Sequence, residues 1–157
     1  MSSNVIQLSS VARWRVLVAH RSADLRHALR TLIEKDRNIT VVEAANGEAA
    51  LEVLELSRFD LLVLELDLPI NDGVTVMQLH RVLLAHERVE VDRPAVLFML
   101  APEVRSSDTL TAHLLSLGVA GFTGFIDDAP RSEVASLVAA VLQARAVQIV
   151  TDKPDVA

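Results

Sequence analysis

The chain contains five histidines and no cysteine, so the histidines are the first side chains to consider as metal ligands or catalytic groups. Thiolate chemistry and disulfide bonds are therefore excluded. A histidine metal site needs further donors at ligand spacing, and no other donors match the spacing of these residues. They are His20, His27, His80, His86 and His113. We therefore expect no histidine metal centre, and we expect these side chains to be solvated on helix surfaces.

Short apolar runs alternate with longer amphipathic stretches along the chain, and these are the elements that must position any site. Strands are predicted over 14–19, 39–44, 60–66, 95–100 and 119–124. Helices are predicted over 22–36, 47–57, 72–87, 105–117 and 130–145. The third strand is apolar enough to be buried on both faces of a sheet. Five strands that alternate with five helices predict a single α/β domain with a doubly wound parallel sheet.

The length of 157 residues suits one domain. We place it at 13–146, between an N-terminal tail at 1–12 and a C-terminal tail at 147–157, whose segments NVIQL and VQIV each form at most a marginal extra strand. The first tail lacks the basic start and apolar core of a signal peptide, and no run approaches the ~18–20 apolar residues that span a bilayer. The net charge of −6 argues against a nucleic-acid surface. We therefore expect a cytoplasmic protein that binds neither nucleic acid nor membrane.

Five segments carry residues that narrow the choice among α/β families. They read RVLVAHRSADLRHALRTLI, EAANGEAALEVL, FDLLVLELDLPINDGVTVMQL, RPAVLFMLAP and LGVAGFTGFI, with Pro69 and the Asp72-Gly73 pair in the third. Together they resemble the receiver domain of bacterial response regulators, the CheY-like family, over about residues 13–145. The resemblance implies a flavodoxin-like sheet with strand order 2-1-3-4-5. It also implies a site at the carboxyl ends of the strands, where open α/β sheets generally bind ligands.

The same resemblance assigns roles to six positions, and this sequence departs from the family at each of them. In the family, two acidic residues after the first strand help to bind Mg²⁺, and an aspartate that ends the third strand is phosphorylated. A threonine or serine ends the fourth strand, a lysine ends the fifth, and a switch aromatic, usually tyrosine, lies three residues before the lysine. The corresponding residues here are, in that order, His20 and Arg21, Glu65, Leu100, Phe125 and Phe122.

These exchanges imply a phosphorylation site that has lost its chemistry. Mg²⁺ prefers octahedral oxygen ligands, mostly carboxylates and water, and only Glu65 and a backbone carbonyl of Leu66 or Asp67 remain as family-placed ligands. Phosphoryl transfer depends on charge neutralisation, which the missing metal and lysine would have supplied. Leu100 and Phe122 also lack the hydroxyls of the family's switch. We therefore expect no Mg²⁺ or other cofactor, no acceptance of phosphate and no enzymatic activity.

One ion pair is predicted at this site. If the fold is right, Arg21 and Glu65 lie close together, and a guanidinium can replace the metal by pairing with the carboxylate. The hypothesis is a fixed pair that holds the neighbouring loop in one state. The alternative is that both side chains point to solvent and contribute little, as surface pairs usually do.

The last helix has an unusually apolar outer face. Its residues at core spacing are Val134, Leu137, Val138, Val141 and Leu142. The predicted interface on the remaining face consists of Ala135, Ala139, Ala140, Gln143 and Ala144. Because a surface helix normally carries more charge, the apolar stripe favours a partner surface, and the resemblance places a dimer or output face in this region. The alternative is an alanine-rich helix that exposes only small methyl groups.

The sequence thus favours a pseudo-receiver that cannot be phosphorylated. It would act in bacterial signal transduction through protein–protein contact, as a homodimer through the last helix. Three alternatives stay open. They are a sensor that binds a small ligand such as a nucleotide in the vacated pocket, a conventional regulator phosphorylated on Asp67, and a piece of a larger regulator with an output domain.

Overall fold

The structure is a computed structural model that describes residues 13–87, 93–127 and 129–152, with residues 147–152 as backbone only. The strands are β1 (Trp14–Ala19), β2 (Ile39–Ala44), β3 (Leu61–Glu65), β4 (Ala95–Met99) and β5 (Gly124–Ile126). The helices are α1 (Ala23–Ile33), α2 (Gly47–Leu56), α3 (Gly73–His86), α4 (Asp108–Ser116) and α5 (Arg131–Asp152). All neighbouring strands are parallel, and their order is β2-β1-β3-β4-β5. The predicted flavodoxin-like fold is therefore confirmed.

The core consists of two apolar layers, one on each face of the sheet. Strand β3 is buried along its whole length, and its alternate side chains point to opposite layers. Leu62 and Leu64 join the layer under α2, α3 and α4, whereas Leu61 and Val63 join the layer under α1 and α5. Burial on both faces explains why the β3 sequence is continuously apolar instead of alternating. None of the helices in the described ranges is long and apolar enough to cross a membrane.

Four helices begin at a capping side chain. The side-chain oxygens of Ser22, Asn46, Asp72 and Ser107 each accept a hydrogen bond from the backbone N–H three residues further on. Such caps satisfy one of the amide groups that the first turn of a helix leaves without a partner. Because Ser107 fulfils this role, α4 begins at Asp108 and not at the predicted residue 105.

Three other predicted boundaries are wrong. Helix α1 ends at Ile33, three residues before its predicted end at residue 36. Helix α5 continues to Asp152, beyond the predicted end at Arg145, so the segment VQIV is helical and not a strand. No glycine or proline lies between Arg131 and Asp152 to interrupt this helix. Strand β5 covers Gly124–Ile126 instead of 119–124. The positive φ of Gly121, 72°, interrupts the extended backbone before it. The segment NVIQL lies outside the described residues.

Helix α5 buries a narrower face than predicted. Val134, Val138 and Leu142 are at most 2% exposed and pack in the same apolar layer as α1. Val141 is only partly buried. Leu137 is 37% exposed, so the prediction that Leu137 lies in the core is wrong. The three buried residues repeat every four positions, and Ala135 and Val141 pack against the same layer from the edges of this stripe.

Candidate functional site

The residues that follow β1 meet the end of β3 at the carboxyl edge of the sheet. Ala19 of β1 is in register with Leu64 of β3, and Glu65 is the next residue. Ser22 already caps α1, so only His20 and Arg21 separate β1 from the cap. This short turn holds both side chains beside Glu65.

Arg21 and Glu65 form the predicted ion pair. The Nε atom of Arg21 donates a hydrogen bond to Oε2 of Glu65 at 2.8 Å, and its backbone N–H donates to Oε1 at 3.0 Å. An Nη2–H group of the same guanidinium donates to the backbone carbonyl of Asp67. The side chain of Glu65 is 11% exposed, whereas over half of the Arg21 side chain faces solvent. The alternative in which both side chains point to solvent is therefore wrong.

His20 lies on the other side of the same carboxylate. Its Nδ1 atom accepts a hydrogen bond from the backbone N–H of Ser22 at 3.0 Å, and its Nε2 atom lies 3.8 Å from Oε2 of Glu65. Burial lowers the pKa of His20, Glu65 opposes this effect, and the charges of Arg21 and Arg26 add to it. An accepting Nδ1 and a lowered pKa both favour the neutral ring. The expectation that His20 is solvated is wrong.

Arg26 supports this turn, and the sequence analysis did not identify it. From α1 it donates to the carbonyl of His20 at 2.7 Å and to that of Arg21 at 3.3 Å. Its Nε atom lies 3.3 Å from a carboxylate oxygen of Glu43 on β2, without the geometry of a hydrogen bond. His27 and Arg30 contact the other oxygen of Glu43. Glu43 is the single acid in the strand sequence ITVVEA, but this signal does not identify Arg26 as its partner.

The loop between β3 and α3 is fixed from a second side by the start of α2. The N–H of Gly47 donates to the carbonyl of Pro69 at 2.9 Å. A Cβ atom at residue 47 would lie only 2.0 Å from the carbonyl oxygen of Asn71. Ile70 and Asn71 have positive φ values of 50° and 76°, which residues with side chains rarely adopt. Contacts with both Arg21 and Gly47 therefore fix the path of this loop.

The remaining predicted site residues lie among apolar side chains. Leu100 follows β4, is 8% exposed, and its N–H donates to the carbonyl of Ile126 at 2.8 Å. Phe125 of β5 lies with its ring centroid 5.0 Å from that of Phe122 and 6.4 Å from that of Phe98. These separations are typical of packed aromatic pairs. This side of the site therefore consists of hydrocarbon, while the Glu65 side is ionic.

The other four histidines differ in their exposure to solvent. His80 is 5% exposed on α3, and burial lowers its pKa, which Glu87 partly opposes. The expectation that it is solvated is wrong, whereas His27, His86 and His113 are exposed as predicted. Over the ranges that the structure describes, no three His, Cys, Asp or Glu side chains are grouped so that they could hold a metal ion.

The family profile described as the response regulator receiver domain matches residues 16–100. This chain belongs to the response regulator receiver family. Among solved structures, it resembles the receiver domain of CheB from Thermotoga maritima, with a TM-score of 0.60, 22% identity and coverage of 84% of this chain and 96% of that one. It also resembles the receiver domain of a putative LuxO repressor from Vibrio parahaemolyticus, with a TM-score of 0.69, 20% identity and coverage of 90% and 99%. These two likenesses show the fold alone.

Two curated relatives bear the name protein-glutamate methylesterase/protein-glutamine glutaminase. The one from Nitratidesulfovibrio vulgaris is 33% identical over 108 residues, which are 68% of this chain. The one from Oleidesulfovibrio alaskensis is 33% identical over 109 residues, or 69% of this chain. The match spans only 27% of each relative. The chain is thus a receiver domain of two-component signalling, and receiver domains act through protein partners.

Proposed function

We propose that this receiver domain accepts no phosphoryl group and signals only through contact with other proteins. The observation that carries the proposal is the position of the Arg21 guanidinium, which binds both the carboxylate of Glu65 and the carbonyl of Asp67. The resemblance implies that the family binds Mg²⁺ through the carboxylate at this strand end and through a backbone carbonyl of residue 66 or 67. A guanidinium is always charged and has no open coordination position, so it neutralises the carboxylate without activating phosphate.

The donor set around Glu65 does not fit Mg²⁺. This ion requires near-ideal octahedral coordination by oxygen. Here one oxygen of Glu65 binds the guanidinium at 2.8 Å and the other accepts the Arg21 N–H at 3.0 Å. His20 offers an imidazole in place of a carboxylate, and its Nδ1 atom is already bonded to Ser22. We therefore propose that Mg²⁺ binding has been lost.

The loop after β3 would then stay in one state. Phosphate acts on a receiver by forming new charge-assisted contacts, and Leu100 and Phe122 have no hydroxyl with which to respond. In their place, the hydrogen bond from Arg21 to Asp67 and the contact of Gly47 with Pro69 would hold the loop in its present conformation. Regulation would come from the amount of protein or from partner binding.

We predict that acetyl phosphate and Mg²⁺ leave the protein without an acyl phosphate. The expected result from intact-mass spectrometry is an unchanged mass, and beryllofluoride with Mg²⁺ should leave the amide NMR spectrum unchanged. A receiver domain with the full acidic set, treated in parallel, is the positive control. A stoichiometric adduct on Glu65 would contradict the proposal. An adduct on Asp67, whose side chain is exposed, would favour the conventional regulator instead.

We further propose that the chain itself is not an enzyme. The enzymatic names of the relatives belong to proteins of which this chain spans 27%, and the matched family profile describes a receiver domain. The arrangement around Glu65 supports this proposal, because its carboxylate is neutralised by a guanidinium and its other neighbours are a neutral imidazole and apolar side chains.

The partner that we propose for α5 is a second copy of this chain. Of the predicted interface, Ala140, Gln143 and Ala144 are exposed, and Ala135 and Ala139 are half-buried. On the same helix, Leu137 exposes 37% of its surface. Exposed apolar area of this kind favours association, and a two-fold axis would pair the same stripe on both copies.

We predict a dimer in light scattering coupled to size-exclusion chromatography. Leu137→Glu should raise its dissociation constant by at least about tenfold, which corresponds to ~1.4 kcal/mol, because a charge would then face an apolar surface. The matched control is Leu56→Glu at the end of α2, where a leucine is 86% exposed. This control should dimerise like the wild type. A strict monomer at high concentration would remove the dimer and leave the rest of the proposal intact.

A further inference from the structure

Three arginines line one cavity at the end of the sheet opposite to Glu65. Arg81 comes from α3, Arg93 lies just before β4, and Arg145 comes from α5. The cavity has a volume of about 340 Å³, and its other lining residues are Pro94, Ala95, Gly121, Thr123, Val141 and Ala144. A site of this size suits a small ligand.

No acid balances these charges in the lining that the structure describes. Arg81 donates to the carbonyls of Ala120 and Gly121, the latter at 3.1 Å. These carbonyls fix the guanidinium in place but carry no net charge. Burial lowers the pKa of Arg81, and the nearby charge of Arg93 lowers it further. The cavity therefore concentrates positive charge in a protein whose net charge is −6.

One of the three guanidiniums has a donor that lacks an acceptor. The Nε atom of Arg145 is buried, and no hydrogen-bond partner for it exists among the described residues. Buried donors are nearly always satisfied in folded proteins, and leaving one without an acceptor destabilises the fold. A bound anion would supply the missing negative charge, but not an acceptor for this Nε atom, which has no exposed surface.

We propose that this cavity binds the phosphate groups of a small phosphorylated ligand. Guanidinium groups match phosphate oxygens in charge and in their paired hydrogen-bond geometry. Three of them favour a multivalent diphosphate over a single carboxylate, because each added negative charge meets another positive one. The cavity shares no residue with the Arg21–Glu65 site, so this inference does not depend on the proposed loss of phosphorylation. It shares Ala144 with the proposed α5 interface.

Titration of the full chain with inorganic pyrophosphate tests the site. We expect calorimetry to show saturable binding to one site. We also expect the Arg145 Nε–Hε signal to shift in the NMR spectrum. Inorganic phosphate should bind more weakly. Arg93→Gln and Arg145→Gln should each weaken pyrophosphate binding about tenfold, or ~1.4 kcal/mol. The matched control is Arg58→Gln, which removes an exposed arginine that pairs with Glu87 at 2.9 Å, and it should bind like the wild type.

Several results would overturn the inference. One is an absence of saturable binding by the wild type, and another is equal binding by a folded Arg145→Gln variant, with circular dichroism as the test of folding. Tighter binding of an acidic peptide than of pyrophosphate would identify a protein partner instead. Glu90 and Asp92 precede Arg93 in the sequence, outside the described residues. If pyrophosphate binds only after Glu90→Gln and Asp92→Asn, these acids balance the arginines in the wild type, and the inference is wrong.

Discussion

Replacement of Gly47 by alanine should lower the free energy of unfolding by about 3 kcal/mol, at the upper end of the range for overpacked sites. The new Cβ atom would lie 2.0 Å from the carbonyl oxygen of Asn71 and 2.4 Å from that of Ile70. Both are backbone atoms, so no side chain can rotate away to relieve the clash. Either α2 or the loop after β3 must move, and the loop carries the Asp67 carbonyl that Arg21 binds.

Urea denaturation of wild type and variant measures this change. Gly124→Ala is the control, because a Cβ atom there meets only a side-chain carbon of Leu97 at 3.8 Å, an ordinary contact. It should alter stability by less than about 1 kcal/mol. Hydrogen exchange should also rise at residues 66–72 in the Gly47 variant. If Gly47→Ala were as stable as Gly124→Ala, the close contact between α2 and the loop would be wrong.

The sequence predicted those parts of the fold that local patterns determine. The continuous apolar run of β3 indicated a strand buried on both faces, and capping residues such as Ser22 and Asp72 marked helix starts. The ends of α5 and the position of β5 depend on weaker signals. The residues VQIV suit a strand as well as a helix, and only the backbone conformation at Gly121 reveals where β5 begins. Tertiary context decides such segments, not propensity.

The candidate site was predictable only where position and charge coincided. The resemblance placed Arg21 and Glu65 at neighbouring strand ends, and opposite charges then predicted their pairing. The roles of Arg26 and Gly47 were not predictable, because each contacts backbone that the sequence pattern does not locate. The arginine cavity was hidden for a related reason. Arg81, Arg93 and Arg145 lie on three separate segments, and only the folded chain brings them together.

Arg21→Asp should convert the ionic site into one that responds to metal. Without divalent ions, we expect a loss of about 2 kcal/mol, since breaking a buried pair costs about 3–5 kcal/mol and over half of the Arg21 side chain is in solvent. A second carboxylate would then lie near Glu65, and like charges repel. Two carboxylates and the freed carbonyl of Asp67 are oxygen donors of the kind that Mg²⁺ prefers.

Melting temperatures with and without millimolar Mg²⁺ therefore separate the variants. Mg²⁺ should raise the melting temperature of Arg21→Asp, because an ion at ten times its dissociation constant stabilises the folded state by about 1.4 kcal/mol. Arg21→Met, which loses the pair without adding a carboxylate, should be destabilised and remain insensitive to Mg²⁺. The wild type should be insensitive as well, because its guanidinium already binds one carboxylate oxygen of Glu65 and the carbonyl oxygen of Asp67. An equal rise in wild type and Arg21→Asp would mean that Arg21 does not exclude the ion, and the proposed loss of phosphorylation would lose its physical basis.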